Sequence, residues 1–305
     1  MAADNLSRAP GRGRALTGIG GPRMAMFVVP ALVLLAAFTI YPIVNLFQMA
    51  LTEVGAANLM SDWGWVGLAN FGPVLTGPEF WQSLRVTVVF SLLILVVNLV
   101  LGFVFANLLA VRSLDAVFTQ GLMIFVWALP SVVNGNIWRF LFAPDGAVNR
   151  GLGLVGIDPV NWLGDPFLAL VTLSFIACWA SLPFSVMIYR AALLAIPNEV
   201  FDAGAVDGAS VWQIRLRIVI PLLRPTILIL AILNLMYGFR SFEYVYVVTS
   251  GGPGDATTTL PYLAYREAFQ KFDFSAGAVV AILGMLAVAL LGLAYLRAIR
   301  REEAL

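Results

Sequence analysis

The 305-residue chain has no histidine and a single cysteine, Cys178. Without histidine, the chain cannot use an imidazole triad or proton shuttle, and with one cysteine it cannot form a Cys/His zinc site or a disulfide framework. Charged residues are also scarce, at 11% of the chain, and the formal net charge is +1. Because binding to a phosphate backbone needs a clustered basic surface, this balance argues against a nucleic-acid-binding protein.

Hydrophobic residues dominate what is present, at 61% of the chain, with a mean hydropathy of +0.91. Soluble globular domains contain about 45–50% apolar and about 25% charged residues. The solvent around most of this chain is therefore lipid. Cys178 lies within an apolar run, and we interpret it as a small packing residue in the membrane.

Long apolar runs recur along the chain. About 20 apolar residues in a helix cross the bilayer core, and proline or glycine inside such a helix is tolerated because neighbouring helices satisfy the freed backbone groups. Pro130 and Gly135 interrupt the third run, and Pro183 lies inside the fourth. We predict an all-α integral membrane protein with six transmembrane helices, at about residues 24–47, 86–111, 118–142, 167–196, 225–248 and 276–296.

The distribution of basic residues predicts the orientation. Twelve lysine and arginine residues flank the membrane on the side of both chain ends, against five on the other side. Cytoplasmic loops carry the excess of positive charge, so both termini are predicted to be cytoplasmic. The predicted organisation is a disordered tail over 1–23, a transmembrane domain over 24–298 and a short tail over 299–305. The first apolar run is too long for a cleaved signal peptide, and we predict that it is retained.

The strongest local signal is the cytoplasmic connection between the fourth and fifth spans, residues 197–221. Asn198 is the predicted N-cap of a short helix that extends to about Val206. The pair Asp207-Gly208 then ends that helix, because glycine adopts the left-handed conformation readily. Ser210 lies three residues before Gln213, which is the capping-box pattern that starts a second helix. Pro221 and Pro225 are predicted to end this second helix and to open the next span.

The same residues resemble the EAA loop of the membrane permease subunits of binding-protein-dependent ABC importers. The usual motif of that family is Glu-Ala-Ala, three residues, Gly, then Ile-x-Leu-Pro. Here Asp202, Gly204 and Ile220 replace the Glu, the second Ala and the Leu. A glycine in place of alanine is expected to loosen the first short helix by up to about 1 kcal/mol. In that family the loop docks into a groove on an ATPase subunit and transmits its closure. The resemblance assigns this coupling role to Asp202, Ala203, Gly204, Asp207, Gly208, Ala209, Ile218 and Pro221.

Two alternatives remain for this loop. It could be an amphipathic connector that lies on the lipid surface. For Asp207 alone, a turn-forming role and a direct partner contact are both open.

A second resemblance covers about residues 225–285. The run 242–253, the threonines 257–259 and the run 265–269 are similar to the carbohydrate-type permeases, and most of all to the maltose and glycerol-phosphate subunit that pairs with a second, different permease. Phe71, Pro130 and Trp162 also lie where that subfamily has similar residues. The resemblance therefore extends over about 25–298.

Polar residues within the spans are candidate contacts for a solute, because they are costly in lipid and usually face protein or water. Asn234, Gly238 and Ser241 share one face of the fifth span, and the resemblance places that face on the sugar path with Trp179, Ser181 and Phe184. Helix packing through small residues is the alternative. Asn134 and Asn136 are candidates for the same path or structural residues. Arg240 and Glu243, three residues apart on a predicted helix, form either a gate or solute contact or a structural ion pair.

The resemblance implies one permease subunit of an importer for a sugar or sugar-like solute in a bacterial or archaeal plasma membrane. The sequence contains no Gly-x-x-x-x-Gly-Lys-Ser/Thr phosphate loop, so no cofactor, metal or catalytic residue is expected in this chain. ATP and Mg would bind two partner ATPase subunits. The other implied partners are a second permease, the lipid bilayer and an external solute-binding protein, which would meet the loops at 48–85, 143–166 and 249–275.

Three other functions are alternatives to a sugar permease. A permease for a polyamine, iron or phosphate is the nearest alternative, but mid-membrane charges are few. An ion-coupled carrier would more often show inverted repeats or mid-span carboxylates. A membrane-embedded enzyme is disfavoured because no nucleophile and base pair stands out among the spans.

Overall fold

The computed structural model describes residues 22–111 and 113–302, with side chains over 28–111 and 113–297. Most of the predicted N-terminal tail, Arg112 and the last residues 303–305 therefore lie outside the described residues. Contacts divide the chain after Gln48 into two compact units. All packing described below is that of the second unit.

The described chain is almost entirely helical. Two short strands, β1 (Thr52–Glu53) and β2 (Gly64–Trp65), form an antiparallel pair. Short π-helical segments cover Arg215–Val219, Val245–Thr249 and Arg266–Gln270. The helices are α1 (Pro22–Leu51), α2 (Phe71–Thr76), α3 (Pro78–Leu108), α4 (Leu114–Ala128), α5 (Ser131–Leu141), α6 (Ala147–Leu154), α7 (Pro166–Leu194), α8 (Asn198–Val206), α9 (Val211–Ile214), α10 (Ile220–Leu222), α11 (Arg224–Arg240), α12 (Leu260–Tyr265) and α13 (Phe274–Glu302).

Four described helices are long and apolar enough to cross a membrane, and two bent helix pairs raise the number to six if each pair is one span. The four are α1, α3, α7 and α13, so the multi-pass membrane character is confirmed. Local signals set their ends. Pro78 and Pro166 occupy the first turns of α3 and α7, and the Asp165 side chain accepts hydrogen bonds from the backbone N–H groups of the first turn of α7 at 3.0 and 2.8 Å. Pro183 is buried inside α7 without ending it.

The third predicted span is not one straight helix. α4 and α5 meet at 99°, and the break falls at Leu129 because the residue before Pro130 is pushed out of the α region (ψ 134°). Gly135 does not interrupt the helix as predicted. It lies buried within α5, and a Cβ there would be 3.2 Å from Cγ1 of Val247.

The prediction of one helix over 225–248 is also wrong. α11 ends at Arg240, and Ser241 adopts an extended conformation (ψ 111°). Its carbonyl oxygen accepts a hydrogen bond from the Thr259 hydroxyl at 3.2 Å, so a loop rather than the next turn of helix satisfies it. The chain resumes a helical course only before the π-helical segment Val245–Thr249. The bend on this helix lies at its other end, where the segment 211–222 meets α11 at 71°.

α3 forms the centre of the second unit because small residues let α7 and α11 approach it closely. A Cβ on Gly102 of α3 would be 3.1 Å from Cβ of Ser185 on α7. A Cβ on Gly238 of α11 would be 2.6 Å from Cα of Ser91 on α3. Small residues at such contacts are typical of membrane helix packing.

The loops at the predicted external side are held by side chains that bond to backbone. Asn149 of α6 accepts hydrogen bonds from the backbone N–H of Val160 and from Nε1 of Trp162, both at 3.0 Å. Thr257 and Thr258 donate to the carbonyl oxygens of Gly252 and Gly251 at 2.8 and 3.1 Å. The threonine run therefore closes the turn that the Gly-Gly-Pro sequence begins.

Candidate coupling loop and transport cavity

The first helix of the predicted coupling loop begins one residue earlier than the sequence indicated. Pro197 occupies the N-cap position and Asn198 is the first helical residue, so the prediction of Asn198 as N-cap is wrong. Proline restricts the residue before it and not the residue after it, so Asn198 is free to be helical. The fixed φ of Pro197 (−61°) is itself compatible with the start of a helix. The position of α8 itself agrees with the prediction.

The end of α8 has the hydrogen bonds of a Schellman motif. Gly208 is left-handed (φ 74°). Its N–H donates to the carbonyl of Ala205, and the N–H of Ala209 donates to the carbonyl of Gly204, both at 3.0 Å. Asp207-Gly208 therefore forms the predicted turn, and backbone hydrogen bonds close it. The Asp207 side chain is exposed.

The second short helix begins with the predicted capping box. Ser210 Oγ accepts from the backbone N–H of Gln213 at 3.3 Å, and Oε1 of Gln213 accepts from the backbone N–H of Ser210 at 2.7 Å. The helical course continues through the π-helical segment and α10 to Leu222. Pro221 lies in the first turn of α10 and Pro225 in that of α11, so the turn between them is the bend of 71°.

Gly204 has a packing role that the sequence did not reveal. It is buried on α8, and a Cβ there would lie 3.0 Å from Cγ1 of Ile214 and 3.4 Å from Cδ1 of Ile218. The glycine that replaces the usual alanine thus lets the two short helices approach closely. Glycine has a lower helix propensity than alanine, but at this position it permits the close contact between α8 and Ile214.

The exposed side of the loop combines acidic and apolar side chains. Asp202 and Asp207 are exposed. Next to them in the chain, Val206, Val211 and Trp212 are 87%, 64% and 67% exposed. Sequence reasoning missed these three apolar residues, although a tryptophan in a short polar loop is a signal that could have found them. An exposed apolar group rimmed by charge is typical of a docking surface.

A cavity of about 340 Å³ lies between α4, α7 and α11. Four of the predicted path residues line it, namely Ser181, Phe184, Asn234 and Arg240. Trp127 stacks on Phe184 at the wall, with ring centroids 6.0 Å apart. Four further lining residues carry polar or aromatic groups, namely Trp127, Ser131, Tyr237 and Tyr244. The sequence did not indicate that these four residues lie together in one cavity.

A buried polar network lies behind this wall and joins three helices. Nδ2 of Asn98 on α3 donates to Ser181 Oγ at 2.7 Å and to Oδ1 of Asn234 at 2.6 Å. Asn234 in turn donates to Ser185 Oγ at 3.2 Å and to the Leu230 carbonyl at 2.8 Å. Asn98 and Ser185 were missed, although an asparagine at the middle of a long apolar span is itself a signal.

The remaining predicted path residues lie elsewhere. Gly238 faces α3 rather than this cavity. Ser241 is buried at the end of α11, and its Oγ has no hydrogen-bond partner among the described residues. Trp179 packs edge-on against Trp138, with centroids 5.7 Å apart. Asn134 is buried and donates to the Tyr244 hydroxyl at 3.3 Å, whereas Asn136 is exposed and donates to the Val132 carbonyl of its own helix.

Arg240 and Glu243 do not meet as an ion pair in the described part of the chain. The prediction assumed a continuous helix, but α11 ends at Arg240 and the chain is extended at Ser241. Both side chains are exposed. The structural ion pair proposed from their spacing is therefore wrong.

Ion pairs do occur at the N-terminal end of α3, where they attach the segment 251–273. Arg266 pairs with Glu79 at 2.9 Å and with Asp255, and Lys271 pairs with Glu79 at 3.1 Å and Glu267 at 2.8 Å. Partial burial acts against the charged form of Lys271, but its hydrogen bonds to Glu267 and Glu79 raise its pKa above the ordinary value. These groups bind the loop to the helix and lie away from the cavity.

Two solved membrane transporters contain chains with a similar fold. A chain of a bacterial ABC transporter involved in the import of the acidic polysaccharide alginate superposes with a TM-score of 0.78 at 22% identity, covering 91% of this chain and 95% of that one. A chain of the MetNI methionine ABC transporter gives 0.51 at 20% identity, over 73% and 94%. At these identities the likeness concerns the fold alone.

Sequence relatives cover nearly the whole chain. The trehalose/maltose transport system permease protein MalF of Thermococcus litoralis is 31% identical over 89% of this chain and 92% of its own length. The diacetylchitobiose uptake system permease protein DasB of Streptomyces coelicolor is 29% identical over 99% and 94%. The sn-glycerol-3-phosphate transport system permease protein UgpA of Agrobacterium fabrum is 30% identical over 86% and 89%. The model of one protein family matches residues 98–302, and the chain belongs to that family, the binding-protein-dependent transport system inner membrane components.

Proposed function

We propose that this chain is one of two permease subunits of an ATP-driven importer for a sugar or sugar-like solute. The observation that carries the proposal is that relatives aligned over nearly the full chain are named as permeases for trehalose/maltose, diacetylchitobiose and sn-glycerol 3-phosphate. The solutes in these names share hydroxyl-rich carbon frames. These names favour a sugar-like solute for this chain over a polyamine or iron.

The cavity supports this solute class. It is lined by aromatic rings, among them Trp127 and Phe184, with the amide of Asn234 and the hydroxyl of Ser181 beside them. Sugars present C–H faces that stack on aromatic planes and hydroxyl groups that need hydrogen bonds. Its volume of about 340 Å³ is within the range of about 300–1,000 Å³ that small-molecule sites occupy.

The 197–221 loop is the proposed attachment to an ATPase subunit. Its exposed Trp212, Val206 and Val211 would enter a groove on that subunit, and the bend at Leu223 would carry the motion into α11. Because α11 forms part of the cavity wall, closure of two ATPase subunits on ATP would change the shape of the cavity. The cavity would open outward on closure and inward after hydrolysis, each state being favoured by the ligand that binds it better.

The proposed location is the plasma membrane of a bacterium or archaeon, with both termini in the cytoplasm. A solute-binding protein would dock on the loops at 48–85, 143–166 and 249–275 and release its solute to the cavity. A second, related permease would complete the pathway. ATP and Mg would bind the ATPase subunits.

Co-purification tests the assembly directly. The tagged chain would be extracted gently from native membranes, and its partners identified by mass spectrometry, with an unrelated tagged membrane protein of similar abundance as the control. An ATPase and a second permease that co-purify with this chain and not with the control are the expected result. A chain that is stable and transports alone in proteoliposomes would contradict the proposal and favour a self-sufficient carrier.

A further inference from the structure

The cavity has one charged residue among the described residues of its lining, Arg240. Its guanidinium forms no hydrogen bond or ion pair within the described residues. Glu243, the carboxylate nearest to it in the chain, is exposed and does not line the cavity. The cavity wall therefore carries an uncompensated positive charge.

The amide and hydroxyl groups of the lining are largely committed to one another. Ser181 accepts from Asn98 and donates to the Ala177 carbonyl at 2.7 Å. Both ends of the Asn234 amide are engaged. The hydroxyl of Tyr244 accepts a hydrogen bond from Nδ2 of Asn134 at 3.3 Å. A solute that enters finds most of these groups already occupied, whereas the donors of Arg240 are available.

An arginine in this position has a clear chemical preference. Its planar guanidinium offers five N–H donors and accepts nothing, and it matches carboxylate and phosphate oxygens in pairs. When the transporter closes around a solute and excludes water, a neutral solute would leave the cation without a countercharge, which is costly. A solute that brings its own anion compensates that charge with charge-assisted hydrogen bonds.

We infer that the cavity selects a sugar-like solute that carries an anionic group, a carboxylate or a phosphate, and that Arg240 is the residue that binds this group. The inference rests on the proposed function and names the solute class within it. The aromatic rings of Trp127 and Phe184 would hold the carbon frame of the solute, and Arg240 at the end of α11 its charged end.

The test uses the co-purified transporter in lipid nanodiscs and two matched pairs of probes. Glucose is compared with glucuronate, and glycerol with sn-glycerol 3-phosphate, by saturation-transfer NMR titration without ATP. In each pair the anionic probe is expected to bind about tenfold more tightly or better, as a charge-assisted hydrogen bond would provide. A larger preference in the glucose pair assigns a carboxylate, and a larger preference in the glycerol pair assigns a phosphate.

Three variants identify the residue. Arg240→Gln is expected to abolish the preference for the anionic probe, and Arg240→Lys to retain part of it, because lysine keeps the charge without the planar fork. Arg150→Gln removes an exposed arginine of α6 that does not line the cavity and is expected to leave the preference unchanged. Added salt should weaken the preference in the wild-type transporter.

The inference is overturned if the neutral and anionic members of each pair bind equally, or if Arg240→Gln and Arg150→Gln change the preference to the same extent. Those results leave the importer function standing, since an ATPase would still be present in the complex. A preparation without an ATPase that binds none of the four probes would instead contradict the proposed function and the inference together.

Discussion

The side-chain amide of Asn98 donates a hydrogen bond of 2.6 Å to Oδ1 of Asn234, and this bond joins α3 to α11. Asn98 also donates to Ser181 on α7 at 2.7 Å, so one asparagine connects the three helices behind the cavity. Its own Oδ1 is buried without a partner among the described residues. The residue therefore acts here as a donor only, and it fixes which way the Asn234 amide faces.

Replacing Asn98 by alanine is expected to lower both stability and uptake. The change leaves the oxygen of Asn234 buried without its donor, which costs about 1–3 kcal/mol. Thermal unfolding of the purified transporter would measure the loss. In a double-mutant cycle with Asn234→Ala, the two asparagines should couple by about 0.6 kcal/mol and at most about 1.7 kcal/mol, the average and the maximum found for hydrogen bonds between membrane helices.

Asn107→Ala provides the matched control for Asn98. Asn107 lies on the same helix, but within the described part of the chain its side-chain amide bonds only to the Phe103 carbonyl one turn earlier, at 2.8 Å. Its loss should change stability and uptake far less. Additive effects of Asn98→Ala and Asn234→Ala would show that the two residues act independently and would contradict the network.

Gly238→Ala is expected to disrupt the contact between α11 and α3. The added Cβ would lie 2.5 Å from Ser91 Oγ and 2.6 Å from Ser91 Cα. Because one of these atoms belongs to the backbone, a helix must move to relieve the clash, and overpacking of this kind costs about 1–3 kcal/mol. The measurement is the yield and melting temperature of the assembled transporter.

Gly121→Ala is the control for this change. Gly121 lies inside α4, and no described atom beyond its chain neighbours and the local helix backbone lies within 4 Å of an added Cβ. Alanine there should be neutral or should stabilise the helix by up to about 1 kcal/mol. Wild-type assembly of Gly238→Ala with impaired uptake would contradict the packing role and favour the alternative in which Gly238 faces the solute path.

The features that the sequence predicted well are those set by short-range chemistry. The capping box at Ser210, the left-handed Gly208 and the proline that opens α11, Pro225, each depend on neighbours within four residues. The long apolar runs likewise predicted α1, α3, α7 and α13, because a bilayer demands about 20 apolar residues in a helix whatever surrounds it. These constraints are local or come from the lipid.

The features that the sequence did not predict depend on residues far apart in the chain. Gly204 and Gly238 are buried because Ile214 and Ser91 approach them, and no local pattern reveals which neighbour a glycine admits. α11 ends at Arg240 because the Thr259 hydroxyl bonds to the Ser241 carbonyl, eighteen residues away in the chain. The predicted Arg240–Glu243 pair was wrong for the same reason.

Gly208→Val is expected to separate ATP hydrolysis from uptake. The residue has φ 74°, where a β-branched side chain is strongly strained, so the turn between α8 and α9 should change shape. Membrane insertion depends on the apolar spans and should persist. ATPase activity that continues without solute uptake in proteoliposomes is the expected result, whereas Gly208→Asn, which tolerates the left-handed region, should keep most of the uptake. Normal coupled uptake in the valine variant would contradict the coupling role.

Trp212→Ala is expected to weaken the attachment of the ATPase subunit. Trp212 is 67% exposed at the start of the second short helix, beside the exposed Val211. Within the described residues its side chain makes no hydrogen bond that would explain a tryptophan at this position. Tryptophan is prominent among the residues that dominate protein interfaces, and truncating such a residue often costs 2 kcal/mol or more in binding, about a thirtyfold loss of affinity. The measurement is the amount of ATPase that remains on the purified permease pair after washing. Trp65→Ala removes an equally exposed tryptophan, at 70%, in the strand pair near the predicted external surface, and it should leave ATPase retention unchanged. If both variants kept the ATPase equally well, the exposed apolar group of the loop would instead lie on the lipid surface, as the connector alternative holds.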